Sequence, residues 1–181
     1  HQNFLKKHQW LKDIKKEVTI PIQLQNDVKM IHQGCYFTYQ QDATYYLYIN
    51  EVGIGSSYFY KDEPLYGNIG IMGEIGLISF KGKTINQCIR ECQSQEEFNE
   101  LLGLLISMIF TMIDPKRLEL SLDLKWNYEE KKIENVLNKI DKDCFKHLYF
   151  HKDISSMLFE GLVYRGIVYL LKERIERNEK I

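Results

Sequence analysis

The sequence predicts an α/β fold built on a mixed sheet, and three observations carry that prediction. Stretches such as TIPIQLQ (19–25) and RLELSLDL (117–124) alternate with the period of half-buried strands. Stretches such as QEEFNELLGLLISMIFTMI (95–113) and ISSMLFEGLVYRGIVYLLKERIERNEK (154–180) have helical length and apolar content. The two kinds of segment interleave along the chain, the order expected of strands joined by helices.

Taken in order, FLKKHQWLKDIKKEV (4–18) places Phe4, Trp10, Leu11, Ile14 and Val18 roughly on one helical face. In TIPIQLQ, Ile20, Ile22 and Leu24 alternate with polar neighbours, and Pro21 marks an edge or a strand start. NDVKMIHQGCYF follows as a helix, with Asn26 as its N-cap and Asp27 in its first turn. TYYLYINEVGIGSSYFY (44–60) reads as a strand, a Gly-x-Gly interruption and a second strand. LISF (77–80) is a further strand with a KGK turn after it. The 95–113 segment is apolar almost all round after an acidic start, which marks a largely buried helix, and Asp114-Pro115 stops it. In RLELSLDL the leucines at 118, 120, 122 and 124 share a face. YEEKKIENVLNKI (128–140) is an amphipathic surface helix, KHLYF (146–150) a short strand, and the segment from 154 a long terminal helix.

The 181 residues can bury a sizeable core, and an apolar content of 44% with 27% charged is ordinary for a globular protein. A formal net charge of -1 gives no general attraction for phosphate backbones, which argues against this chain itself as a nucleic-acid binder. The apolar run LLGLLISMIFTMI (101–113) falls short of the ~20 residues that span a bilayer, so no membrane is expected as a partner. Cys35, Cys88, Cys92 and Cys144 form no disulfide-framework pattern; reduced thiols and a cytoplasmic location are expected. The first residue is His1 rather than methionine, as expected of a processed or excised piece.

One stretch asks for a reason. LYGNIGIMGEIGLISF (65–80) has glycine at 67, 70, 73 and 76, and Glu74 is the only charge between them. Glycine costs roughly 0.5–1 kcal/mol relative to alanine in a regular element, so this density argues for turns or close backbone approach. Two metal patterns are also present by spacing: Cys88-x3-Cys92, and His147-x3-His151 with Asp153 nearby. The rival reading of the cysteines is a helix in which both pack as small hydrophobes.

IPIQLQNDVK, YYLYINEVGIGSSYFYKDEPLYGNIGIMGEIGLISF, MIDPKRLELSL and SSMLFEGLVYRGIVYLL, in that order, resemble the ROK family of repressors, open reading frames and sugar kinases. The resemblance implies the actin-like, ribonuclease H-like ATPase fold, mostly its C-terminal lobe: 1–40 as the end of the N-terminal lobe and 41–181 as the C-terminal lobe. It implies that Asn26 contacts sugar hydroxyls and that Asp27 is the catalytic base if the protein is active. Such a carboxylate takes the proton of a sugar hydroxyl attacking phosphorus. It implies that Glu74 hydrogen-bonds the sugar, with the glycines wrapping the backbone so that this one carboxylate enters the pocket. Gly53 and Gly55 fall where the family brings backbone amides to phosphates, a possible anion nest; a plain hairpin turn fits that stretch equally.

The departures from the family pattern are specific. Glu51 and Val52 stand where glycine and threonine are usual, and Leu77 replaces the histidine that touches sugar and anchors zinc. Cys88 and Cys92 leave at most half a tetrahedral site, and no glycine lies between 104 and 160, where the family has a pair near the adenosine. The phosphate loop of the first lobe has no counterpart. These losses favour a sugar-responsive effector domain of a ROK-type transcriptional regulator, binding a sugar or sugar phosphate. A homodimer is expected, neither zinc nor ATP as cofactor, and DNA only through a segment outside this chain. The alternatives are a fragment of a glucokinase-like sugar kinase and a dimerisation module that binds no ligand.

Overall fold

A computed structural model describes residues 12–14, 16–18, 25–61 and 63–178. Helix α1 (Asp27–Tyr39) starts where Asn26, in extended backbone, accepts the Lys29 amide at 3.0 Å, and it ends on Gln40 in a left-handed conformation. Strands β1 (Thr44–Asn50) and β2 (Ile54–Tyr60) form the antiparallel hairpin that the Gly-x-Gly interruption predicts. The two-residue β3 (Glu63–Pro64) lies on the outer edge of β2, where proline costs no ladder bond. A 3-10 turn (Ile75–Leu77) leads to the small hairpin of β4 (Ser79–Phe80) and β5 (Lys83–Thr84). Helices α2 (Ile85–Glu91) and α3 (Gln95–Ile113) follow. Thr84 and Gln87 form a reciprocal capping box, and Ser94 caps α3. Asp114, left-handed at φ 48°, ends α3 where Asp-Pro predicts.

Strand β6 (Arg117–Asp123) then runs parallel to β1, and β7 (Leu148–His151) parallel to β6. Helix α4 (Glu130–Leu137) and a 3-10 turn (Cys144–His147) connect them. Helix α5 (Ile154–Asn178) closes the described chain. The sheet order is β3-β2-β1-β6-β7, a mixed five-stranded sheet as expected from the interleaved segments.

Both faces of this sheet are covered, and the central strand shows why. Tyr45, Leu47 and Ile49 of β1 join the main core with Leu118 and Leu120 of β6, Phe98, Leu102, Leu105 and Ile106 of α3, and Ile133 and Leu137 of α4. Tyr46 points the other way and packs with Val28, Ile31 and Cys35 of α1. A strand buried on both sides reads as a continuous apolar run, as TYYLYIN does. The second face is the more polar one: the Tyr46 hydroxyl donates to Ser121 at 2.8 Å, and Glu119 is only 1% exposed. Alternation in RLELSLDL therefore separates two buried faces, not a buried face from a solvated one.

Helix α5 crosses α1 through two glycines. A Cβ on Gly34 would fall on the Met157 carbonyl, and one on Gly161 would fall on the Met30 carbonyl. The strand expected at 146–150 begins at Leu148, after the 3-10 turn. All but Gln25 of the strand expected at 19–25 lies outside the described residues, as does most of the helix expected at 4–18; 12–14, 16 and 17 are helical.

Candidate functional site

The parallel strands β1 and β6 end side by side, with Asn50 registered against Asp123. Open α/β sheets bind ligands outside such carboxyl ends. The Tyr48 hydroxyl donates to Asp123 Oδ2 at 3.1 Å. Burial raises the Tyr48 pKa, its hydrogen bond with Asn50 opposes that shift, and the negative charges of Asp123 and Asp27 raise it further, so the Asp27 carboxylate at the start of α1 is within electrostatic range of these strand ends. Asp27 is exposed there, with Oδ1 accepting the Val28 amide at 2.8 Å. Asn26 spends its Oδ1 on the Lys29 amide, so its side-chain N–H donors are what it can offer a ligand.

The glycine-rich segment reaches the same place. The Lys29 ammonium lies 3.6 Å from the centre of the Tyr66 ring. Desolvation lowers the Lys29 pKa, and the carboxylate of Glu74 opposes that shift. Glu74 is thus within electrostatic range of Lys29. The sequence groups Asn26, Asp27 and Glu74; in the structure Asn26 and Asp27 open α1, Tyr66 and the charge of Glu74 bear on Lys29, and Tyr48 with its partner Asp123 feels the charge of Asp27.

Why the segment needs its glycines is visible at two positions. Gly73 has φ +92°, and a Cβ there would sit 2.5 Å from the Ser56 carbonyl oxygen. The Ser56 hydroxyl also donates to the Gly73 carbonyl at 2.6 Å, which locks the residue before Glu74 against β2. Gly76 faces Asn86 of α2, and so does Gly53 from the β1–β2 turn, where a Cβ would lie 2.7 Å from Asn86 Oδ1. That same oxygen accepts the Ile54 amide at 2.8 Å. One asparagine therefore holds both glycine-rich segments. Leu77, standing where the family pattern has histidine, is 60% exposed.

The phosphate-binding expectation for Gly53 and Gly55 meets amides that are already engaged. Val52 and Gly53 donate to Asn50 Oδ1 at 2.9 and 3.0 Å, and Ile54 donates to Asn86. The Arg90 guanidinium donates to the Val52 carbonyl at 2.9 Å. Gly55 makes room for Val28, whose Cγ2 would lie 2.5 Å from a Cβ there. The stretch behaves as the hairpin turn of the alternative reading.

Among the described residues no group of three or more His, Cys, Asp or Glu is placed to hold a metal ion. The Cys88 thiol donates to the Phe80 carbonyl and that of Cys92 to the Cys88 carbonyl, the behaviour of helix-packing cysteines. His147 and His151 also diverge: Nδ1 of His147 bonds the Lys116 carbonyl oxygen, while Nε2 of His151 pairs with Glu119.

A twisted mixed sheet covered by helices on both faces, with its candidate site at parallel strand ends and a helix start, is the architecture of an actin-like α/β lobe. Solved structures similar to this chain include ROK proteins, so the resemblance drawn from the sequence holds at the level of fold. The Lmo2764 protein of Listeria monocytogenes matches with a TM-score of 0.58 and 13% identity, over 85% of this chain and 70% of that one. A ROK family protein from Streptococcus pneumoniae in complex with sucrose gives 0.58 and 14%, over 86% and 68%. A ROK family glucokinase from Streptomyces griseus in complex with glucose and AMPPNP gives 0.54 and 11%, over 83% and 70%. No family model and no curated protein sequence matches the chain.

Proposed function

We propose that this chain forms the end of the first lobe (1–40) and the second lobe (41–181) of a cytoplasmic ROK-type protein whose pocket binds a sugar or sugar phosphate. In this reading it is the effector-binding domain of a transcriptional regulator, phosphoryl transfer is lost, and DNA is contacted through a segment outside the chain. Asn26 and Glu74 hydrogen-bond sugar hydroxyls, and Asp27 accepts one more. Tyr66, beside them, offers a flat apolar face of the kind sugars stack on. The observation that carries the regulator over the kinase is the β1–β2 turn, whose Val52, Gly53 and Ile54 amides donate to Asn50 and Asn86 and are not free for a phosphate. A second reading, a sugar kinase fragment, is favoured by one observation: Asp27 is still exposed at the start of α1, where a base would act.

The test is a thermal-shift screen against hexoses, amino sugars and their phosphates, with ATP–Mg²⁺ as a separate arm. A ligand at a hundredfold over its Kd stabilises by about 2.7 kcal/mol. One sugar should raise the midpoint of the 181-residue chain, Glu74→Ala and Asp27→Ala should each abolish the shift, and ATP–Mg²⁺ should give none. A shift with ATP favours the kinase, and a sugar shift that survives both substitutions removes this site.

A further inference from the structure

The half-buried side chain of Lys29 has the surroundings that proteins give to an organic ammonium ion. Its ammonium lies 3.6 Å from the centre of the Tyr66 ring and within electrostatic range of Glu74. An aromatic face attracts a cation through its negative π-cloud, and a carboxylate adds opposite charge and hydrogen-bond acceptors. Both groups are anchored on β2. The Leu65 amide, next to Tyr66, donates to the Tyr58 carbonyl at 2.8 Å, and the Gly73 carbonyl, next to Glu74, accepts the Ser56 hydroxyl at 2.6 Å. Gly67 directly after the tyrosine and Gly73 directly before the glutamate both have positive φ, +67° and +92°. The aromatic and the carboxylate are therefore positioned by the strand and its turns, not by the lysine between them.

The lysine itself is held loosely. Among the described residues its side chain makes no ion pair and no hydrogen bond beyond the contact with Tyr66. Desolvation lowers its pKa and Glu74 opposes that shift, so this ammonium has given up water without gaining a hydrogen-bonded carboxylate. Its flexible stem allows the head to return to solvent.

We propose that the ligand of this site is an amino sugar with a free, protonated amine, whose ammonium replaces that of Lys29 over Tyr66 and beside Glu74. The inference rests on the sugar-site reading and names the class of sugar. The two oxygens of Glu74 accept from the ammonium and from a neighbouring hydroxyl. Charge decides against an anionic ligand: the charged residues of the site are Asp27, Glu74, Asp123 and Lys29, and the three carboxylates are exposed and in no ion pair among the described residues. A phosphate that displaces Lys29 brings like charge up to Glu74. A neutral or N-acetylated sugar gives up the cation–π contact and gains no charge in return. An ammonium keeps both interactions and lets Lys29 regain its water.

Calorimetric titration of the 181-residue chain tests this with glucosamine, galactosamine and mannosamine, each beside its parent hexose and its N-acetyl derivative, and with glucose 6-phosphate as the anionic arm. One aminohexose should bind about tenfold tighter than its parent. Tyr66→Leu and Glu74→Gln should each narrow that ratio. A general loosening of the loop lowers both affinities and leaves the ratio as it was, so folding defects do not mimic the result. Lys29→Met, which removes the tethered competitor, should tighten the aminohexose about threefold or more; a loss of affinity in this variant makes Lys29 a ligand donor and overturns the proposal. A parent hexose, N-acetyl derivative or glucose 6-phosphate that binds as tightly as any aminohexose overturns it too, while leaving the sugar site in place. A chain that binds none of these compounds removes the sugar site and this inference with it.

Discussion

His32 shows how much one residue can organise without leaving a mark in the sequence. It is fully buried on α1, with Nδ1 bonded to the Ser57 hydroxyl and Nε2 to that of Thr44, so it ties the helix to both strands of the first hairpin. Desolvation pushes its pKa down from 6.5 to about 3. Between those values the unfolded chain binds a proton that the folded chain does not, so stability rises with pH through this window. His32 therefore contributes fully above about pH 6.5, and its contribution is lost as pH falls toward 3, at up to about 1.4 kcal/mol per pH unit. Urea midpoints at pH 7 and pH 5 should show the loss, and the His32 ring resonances should not titrate above pH 4; a ring titrating near 6.5 contradicts the buried neutral imidazole. Nothing in KMIHQGCYF distinguishes this histidine from an exposed one, because its partners lie 12 and 25 residues away. The same holds for Asn86, whose importance comes from two glycines that face it across the fold. The helix start at Asn26 and Asp27 was legible in the sequence, whereas the contact of Lys29 with Tyr66 becomes visible only when the glycine-rich segment folds back on α1. Glu119 is the sharpest case. RLELSLDL presents it as a solvated position, yet it is buried between Arg117 and His151, with the Arg117 guanidinium stacked between the Tyr39 and Tyr149 rings.

At the scale of elements, the strands and helices were legible wherever local chemistry sets the boundary, as at the Asn26 cap and the Asp114-Pro115 stop. The pairing of α1 with α5 was not, because it depends on two glycines that look like ordinary helix weaknesses in sequence. Helix α5 contains an internal control for this point. A Cβ on Gly161 would meet the Met30 backbone, whereas one on Gly166 meets nothing within 4 Å. Alanine is the better helix former by up to about 1 kcal/mol, so Gly166→Ala should stabilise the chain. In Gly161→Ala the clash with a carbonyl that cannot rotate away outweighs that gain, and a loss of about 1–3 kcal/mol is expected. Urea unfolding of the two variants compares them directly; equal responses would mean that α5 does not sit on α1 this closely.

For the whole molecule, α1 is the element that joins the candidate site to the α5 crossing. Its first turn presents Asn26, Asp27 and Lys29 to the candidate sugar site, and its middle meets α5 at Gly34. A ligand that shifts the start of α1 therefore acts on a helix whose glycine contacts leave little slack, and α5 has to move with it or lose the crossing. That is a physical route by which a sugar could alter assembly, and it turns an effector domain into a switch only if the two sites are energetically coupled. Coupling between equilibrium bindings is reciprocal, so one experiment reads it twice. If the sugar tightens the dimer by some factor, dimerisation must tighten sugar binding by the same factor, with about 5- to 150-fold being usual for allosteric pairs. The dimer dissociation constant measured with and without the stabilising sugar gives one side of the cycle. Sugar affinity measured at protein concentrations well below and well above that constant gives the other. Equal factors from both measurements establish the α1 route. A sugar that binds equally well to monomer and dimer leaves the α1–α5 crossing uncoupled from assembly, and regulation must then pass between the lobes instead.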